Sequence, residues 1–313
     1  MLLYYVVEAT QGWGSIAELV FDGRLLSMLA ALAFAGLLIE AFRLTIVCRG
    51  EETRLPVSQS IRLVLLGTFF NYIVPGGTGG DAAKLYYLTV GNRGKGVEMA
   101  TVLVADRTIA FVSLLLMILV LAAVNAPVVA STVLLRWVVS IVFLAVVAIS
   151  TLTWLLLRSH ALPQTLPRVV AGVFRNRWVR RAVGAVHRIG SRRVVLWGAV
   201  AVSLCGHSMV ALMFLVSGAA VFGAPPTAIV PLLGFVALLA NAVPITPGGI
   251  GVGEGAFEVL FRLVGFSGGS RLIILWRVAT LPLAVVGGIL YATGYGRIAL
   301  ADNASLQSES HGT

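Results

Sequence analysis

An all-α polytopic membrane protein, with inverted repeats and two re-entrant broken-helix hairpins, is the fold class this sequence predicts, and three observations predict it. The 313 residues are 58% hydrophobic and only 12% charged, far from the mixture of a soluble domain. Apolar runs at Leu25 to Val47, Val97 to Val124, Thr132 to Leu157, Val194 to Phe222 and Leu272 to Tyr295 each reach the roughly 20 residues that a bilayer-spanning helix needs. Two shorter runs, Ile61 to Val74 and Ala228 to Val243, each lead into proline and glycine.

At the front end, residues 1–24 show no basic region ahead of a compact apolar core and no small-residue cleavage site, so no removable signal peptide is expected. A first repeat is read over 25–124 as a span, a hairpin and a second span, and 125–157 as a connecting span. A basic loop follows at 158–193, then a second repeat at 194–297 and a polar, disordered tail at 298–313. Cys48 and Cys205 lie at or within spans and outside any CxxC pair, so both are expected as buried packing residues, with no disulfide framework. The histidines are scattered without metal-ligand spacing, and no GxSxG or Walker-type loop is present. No metal, no cofactor and no enzyme activity are expected.

The net charge of +10 does not point to nucleic acid, because most of the excess lies in one inter-span segment. Arg158, Arg168, Arg175, Arg177, Arg180, Arg181, Arg188, Arg192 and Arg193 stand there with no acidic residue, and the positive-inside rule puts such a loop in the cytoplasm. Arg49, Arg54, Arg93 and Lys95 fall on the same side provided the short run before Pro75 does not cross. The loops at Asn125 to Ser131 and Gly223 to Pro226 carry no Lys or Arg, as external loops should. The N-terminus is therefore expected outside and the C-terminus in the cytoplasm. Within the loop, Val179, Val183, Val186 and Ile189 recur at helical spacing. This predicts either an interfacial amphipathic helix that attracts anionic lipid or a plain orientation signal.

The string "NYIVPGGTGG", from Asn71 through Pro75, Gly76, Gly77, Gly79 and Gly80, is a poor continuation of any helix, since proline breaks the ladder and glycine tolerates unusual angles. Unwound backbone at membrane depth is tolerated only inside protein or beside a water-filled cavity. A second copy strengthens the reading: "NAVPITPGGIGVGEG" runs from Asn241 through Pro244, Pro247, Gly248, Gly249, Gly251 and Gly253, offset by 172 residues (247 − 75). Each copy is trailed by an acid, Asp81 or Glu254, and by a span holding an arginine, Arg107 or Arg277. The charge pattern makes the two halves run in opposite senses. Inverted repeats with broken helices near the midplane are the architecture of secondary transporters.

The strings "FNYIVPGGTGGDAAKLYYL", "VLVADRTIAF", "NAVPITPGGIGVGEGAFEVLF" and "EAFRLTIVCRG" resemble the lysylphosphatidylglycerol synthase transmembrane (flippase-like) family, over about Leu25 to Arg297. The resemblance implies a prokaryotic inner-membrane protein related to the membrane half of the multiple peptide resistance factor, which is associated with moving aminoacylated phospholipid between leaflets. No soluble aminoacyl-transferase segment accompanies these residues, so lipid synthesis by that route is not implied. Leu2 to Val7 reads as a remnant of the extra N-terminal helix of many members.

Arg107 and Arg277 are the candidates for gripping a lipid phosphate, because guanidinium binds such oxygens in a bidentate fork and stays charged. Internal salt bridges to Asp106, Asp81 or Glu254 are the competing role. Asp81 and Glu254 stand at helix starts, where acids cap. If uncapped, they would meet a cationic headgroup or take up a proton. Lys84, one turn after Asp81, is its expected neutralising partner, and Asp106 diverges from its neighbour Arg107 to serve another group. Glu40 and Arg43 are expected to satisfy each other. Asn71 and Asn241 are expected to bond the freed backbone. The expected function is a flippase or transporter for an amphipathic lipid working by alternating access. The alternative is a scaffold holding a lipid- or sugar-modifying enzyme through the basic loop. Membrane lipids are the expected partners, and pairing with a second copy stays open.

Overall fold

The computed structural model describes residues 13–74, 79–92, 94–158, 177–223, 227–241, 246 and 249–294. Among these residues it contains twelve α-helices and no strand. They are α1 (Trp13–Phe21), α2 (Gly23–Gly50), α3 (Val57–Ile73), α4 (Gly79–Gly91), α5 (Gly96–Val124), α6 (Ala126–Ser131), α7 (Val133–Arg158), α8 (Arg177–Ser191), α9 (Arg193–Phe222), α10 (Ile229–Asn241), α11 (Val252–Arg262) and α12 (Ser270–Ala292). Five of them, α2, α5, α7, α9 and α12, are long and apolar enough to cross a membrane, as the five apolar runs predicted. The two shorter runs became α3 and α10, of 17 and 13 residues.

Local chemistry accounts for several of the boundaries. Asp22 caps α2, its carboxylate accepting from the amides of Arg24 at 2.9 Å and Leu25 at 3.1 Å, which satisfies two of the amides a helix start leaves bare. At the end of α3, Val74 is extended at φ −86° and ψ 129°, the conformation that a following proline favours. Gly223 ends α9 in the left-handed region at φ 62°, a conformation glycine adopts without a Cβ penalty. Glu258 of α11 bridges the turn into α12. Its carboxylate accepts from the Ser270 amide and hydroxyl at 3.2 and 3.1 Å and from Arg262 at 2.7 Å.

A long helix, two short ones and another long one occur in that order twice, as α2 to α5 and as α9 to α12. Packing repeats with the order. In each half the lead helix packs on the first short helix, the short helices pack on each other, and the second short helix packs on the closing long one. Between halves, α2 packs on α9, each lead helix packs on the other half's closing helix, and each first short helix does the same. Exchanging the halves maps this scheme onto itself.

Large aromatics fill part of the core. Phe214, Phe235, Phe257 and Phe261 are fully buried, with ring centroids 5.7 to 6.1 Å apart along the chain of contacts, a spacing at which ring quadrupoles attract. On the outside, Trp137, Phe143 and Leu144 of α7 are exposed, as a lipid-facing surface requires. Elsewhere small residues set the approach of helices. A Cβ on Gly287 of α12 would strike the Leu65 carbonyl of α3, so this crossing depends on glycine.

One expectation is corrected. Cys205 is exposed, unlike Cys48, because it lies two residues beyond the inward-facing Ser203, about 200° around the helix at 100° per residue. Helix α8 is present over Arg177–Ser191, and part of its apolar side packs on the protein. Ala185 and Ile189 are buried against the protein, where Ile189 meets Gly50 of α2. Arg188 donates to Glu51, Arg192 to Glu52, and Arg181 stands 3.8 Å from Glu98. The hydrogen bond to Glu51 raises the Arg188 pKa. The side chains of Val179 and Val183, the residues before α1, the tail at 298–313, and Pro75, Gly76, Gly77, Pro244, Pro247 and Gly248 lie outside the described residues.

Replacing Gly287 with Ala is expected to push α12 off α3 and destabilise the bundle by about 1–3 kcal/mol. Gly255→Ala, which meets nothing within 4 Å, is expected to be neutral or mildly stabilising. Thermal unfolding of both variants in detergent checks this: equal melting temperatures would show that the α3–α12 crossing has slack.

Candidate functional site

Helix α2 turns a stripe of Leu29, Ala33, Leu37, Ala41 and Leu44 into the bundle, at the three- and four-residue spacing of a buried helix face. Glu40 and Arg43 sit beside that stripe, three residues apart and on neighbouring parts of one face. They look into a cavity of about 380 Å³ lined by α2, α3, α5, α9 and α12. Asn71, Tyr72, Arg107 and His207 also line it, with leucine, valine and Trp276 completing the wall.

The ion pairs around the cavity differ from those the sequence suggests. Glu40 and Arg43 do not satisfy each other. Arg43 forks onto Asp106 of α5, with Nε 2.8 Å from Oδ1 and Nη2 3.0 Å from Oδ2, and its Nη1 donates to Ser203 Oγ of α9 at 3.1 Å. Glu40 instead accepts from Lys84 Nζ of α4 at 2.6 Å. Lys84 therefore does not neutralise Asp81. Its stem crosses α3 at Gly67, where a Cβ would stand 2.7 Å from Lys84 Cε, and the gap lets the ammonium reach α2. Asp81 pairs with Arg107, whose Nε and Nη2 lie 2.8 and 2.6 Å from Oδ1. Asp106 and Arg107, adjacent in sequence, thus serve different partners.

At the first break, Asn71 Oδ1 accepts from the Gly80 amide at 2.8 Å, bonding freed backbone as expected. Gly79 and Gly80 are buried at the start of α4, and a Cβ on Gly80 would strike the Gly67 carbonyl and Asn71. At the second break, Gly249 and Gly251 have φ of 68° and 87°, values that favour glycine. The Gly251 amide donates to Glu254 Oε2 at 2.7 Å, so Glu254 does cap α11. Its other oxygen accepts from Arg277, which also donates to the Gly249 carbonyl at 2.9 Å. Gly253 is buried beside them. Asn241 ends α10, and its side chain lies outside the described residues. Tyr72 ties α3 to α12, its hydroxyl 2.7 Å from Thr280 Oγ1 and donating to the Arg277 carbonyl at 3.1 Å.

Each half therefore has an acid at the start of its second short helix paired with an arginine of its closing span, 26 residues on for Asp81 and Arg107, 23 for Glu254 and Arg277. Their surroundings differ. The side chains of Glu254 and Arg277 are 4% and 14% exposed, those of Asp81 and Arg107 34% and 48%. Arg107 lines the cavity and Arg277 does not.

Glu40, Arg43, His207 and Ser203 belong to the cavity although the sequence reading gave them no substrate role. The signal available was an ionisable residue inside a span, a functional-site hypothesis by default. His207 Nε2 lies 3.0 Å from the Ala110 carbonyl, which orients its ring. Among the described residues no group of three His, Cys, Asp or Glu could hold a metal ion.

The family model described as the lysylphosphatidylglycerol synthase TM region matches residues 1–288, and the chain belongs to that family. No curated protein and no solved structure matches it.

Arg43→Ala would leave the Asp106 carboxylate buried without its fork, with an expected loss of about 3–5 kcal/mol of stability. The double variant Arg43→Met with Asp106→Leu is expected to recover most of that loss, because no lone charge remains. Melting temperatures in detergent decide: a double variant as unstable as the single would show that the pair is not the cause.

Proposed function

We propose that this member of the lysylphosphatidylglycerol synthase TM family moves an amphipathic lipid with a phosphate-bearing headgroup between leaflets, the headgroup crossing through the cavity while the tails stay in the bilayer. The observation that carries the reading is the cavity itself: a partly apolar chamber where the two halves meet, into which Glu40, Arg43 and Arg107 project. A charged headgroup cannot cross hydrocarbon unaided, since desolvating an ionised group costs many kcal/mol. A chamber that offers guanidinium forks and carboxylates replaces part of its hydration.

The repeated helix order and the self-mapping contacts support a pair of inverted repeats, with re-entrant hairpins formed by α3 with α4 and by α10 with α11. Two such halves around one chamber fit alternating access, in which one rocks against the other. The arginines before α9 orient the chain with that end in the cytoplasm. Arg181, Arg188 and Arg192 face Glu98, Glu51 and Glu52 of the same chain, which favours transport over a scaffold that holds an enzyme by this segment. A bacterial or archaeal plasma membrane is the expected location.

Leaflet transfer of fluorescent lipids in proteoliposomes tests the proposal. Transfer should depend on the headgroup and fall at least about tenfold in Arg107→Ala, the loss expected when charge-assisted hydrogen bonds worth roughly 1.5–3 kcal/mol are removed. Arg277→Ala should instead lower the melting temperature, because that side chain holds a backbone turn. Absence of transfer for every headgroup tried with well-folded wild-type protein would sink the translocation reading.

A further inference from the structure

Arg107 lines two separate spaces. It faces the central cavity, and it also borders a shallow groove of about 330 Å³ on the outer flank of the bundle between α4 and α5, floored by Ala82, Leu85, Leu103 and Val104 and edged by Asp81. The groove is almost wholly apolar except for this one ion pair. A second groove on the other flank of α4, of about 370 Å³, is lined by Phe70, Val74, Tyr86 and Tyr291 among others and has no charged residue in its wall.

Depth makes the first groove unusual. Arg107 lies 11 residues into α5 (107 − 96), about 16 Å along a helix rising 1.5 Å per residue. The whole helix has 29 residues, so Arg107 stands well inside a span that is itself longer than the roughly 30 Å hydrocarbon core. An ion pair there is costly unless enclosed, and the corresponding pair of the other half, Glu254 with Arg277, is enclosed. Asp81 with Arg107 is left half-open where it meets the groove. Arg107 Nε and Nη2 both donate to the single oxygen Oδ1 of Asp81, and a guanidinium presenting two such donors also suits phosphate oxygens.

We infer that the gap between α4 and α5 is the lateral doorway to the cavity, where a phospholipid lays an acyl chain in the groove and its phosphate displaces Asp81 from Arg107. The inference rests on the translocation reading and names the entry point of its substrate. The headgroup is then drawn from the bilayer surface toward mid-depth, and Arg107, facing both spaces, hands it from groove to cavity. Asp81 acts as the competing anion that closes the doorway when no lipid is present. The doorway is confined to the first half, because Arg277 is held by Glu254 and the Gly249 carbonyl.

Photolabelling of the protein in vesicles tests this without relying on transport. The probes are phosphatidylglycerol and diacylglycerol, each with a diazirine in one acyl chain, and labelled residues are mapped by mass spectrometry. With phosphatidylglycerol, labelling at Leu103 and Val104 should fall roughly tenfold in Arg107→Gln, as loss of a charge-assisted contact implies. It should rise in Asp81→Asn, which removes the competing anion. A merely structural pair would move both variants the same way, and that outcome would overturn the doorway. Diacylglycerol labelling of the groove, and labelling of Tyr86 and Tyr291 by either probe, should stay level in both variants, which also shows that they are folded. Transfer in the wild type without Arg107-dependent groove labelling would overturn the doorway and leave translocation standing. Arg107-dependent labelling without transfer would support lipid capture here and overturn translocation.

Discussion

A charge inside a lipid-embedded bundle must be paired within the protein, and the pairing of Arg43 is the interaction on which the rest of this structure depends. The guanidinium stands on α2, its carboxylate on α5 and its third partner, Ser203, on α9. Both halves of the chain therefore meet at one side chain. In hydrocarbon the alternative to these bonds is a desolvated ion, costlier than any rearrangement of apolar contacts. Apolar packing alone would not hold α2 and α9 in one register, because lipid tails compete equally well for leucine. The fork supplies direction where packing supplies only proximity, and the cavity is the space left beside it.

How much of this was legible in the sequence depends on the range of the interaction. The five long helices were readable because a run of about 20 apolar residues has one physical solution in a bilayer. The divergence of Asp106 from Arg107 followed from helical rotation of 100° per residue, and Asn71 bonding to Gly80 followed from the need to satisfy unwound backbone. The partners of Glu40 and Arg43 were not readable. Residues three apart on a helix look like a pair, but Lys84 and Asp106 arrive from α4 and α5 only once the bundle closes. Lys84 reaches Glu40 through the space left at Gly67, a detail of packing that a lysine one turn from an aspartate does not reveal. An apolar stripe on α8 likewise cannot say whether lipid or Gly50 will cover it.

The two halves also show how a repeat hides a difference. In sequence, Asp81 with Arg107 and Glu254 with Arg277 look equivalent, apart from a spacing shorter by three residues in the second half (26 − 23). Both acids are the third residue of their short helix, but Glu254 is longer by one methylene, and one of its oxygens caps Gly251 while the other holds Arg277. Burial and backbone bonds then fix that pair as part of a turn. In the first half the corresponding acid pairs with Arg107, which borders both the cavity and the outer groove. Similar residues on a similar scaffold become an enclosed clamp in one half and a half-open contact in the other.

Charge balance sharpens the point. Around the cavity three cations, Arg43, Lys84 and Arg107, are matched by three carboxylates, Asp106, Glu40 and Asp81. A site balanced in this way gives an anion no net attraction, so on the proposed reading a phosphate would enter by taking the place of a carboxylate. Which carboxylate yields is set by how little must be desolvated or left stranded. Breaking Arg43 from Asp106 would strand two groups that are each at most 10% exposed, and withdrawing Glu40 would strand Lys84 at 4%. Asp81 and Arg107 are instead 34% and 48% exposed, so of the three pairs this one can be reached from outside without opening the packed interior. Arg107 of that pair also stands where the cavity and the outer groove meet. Access and placement select the same residue, and the enclosed pairs around it hold the chamber's shape.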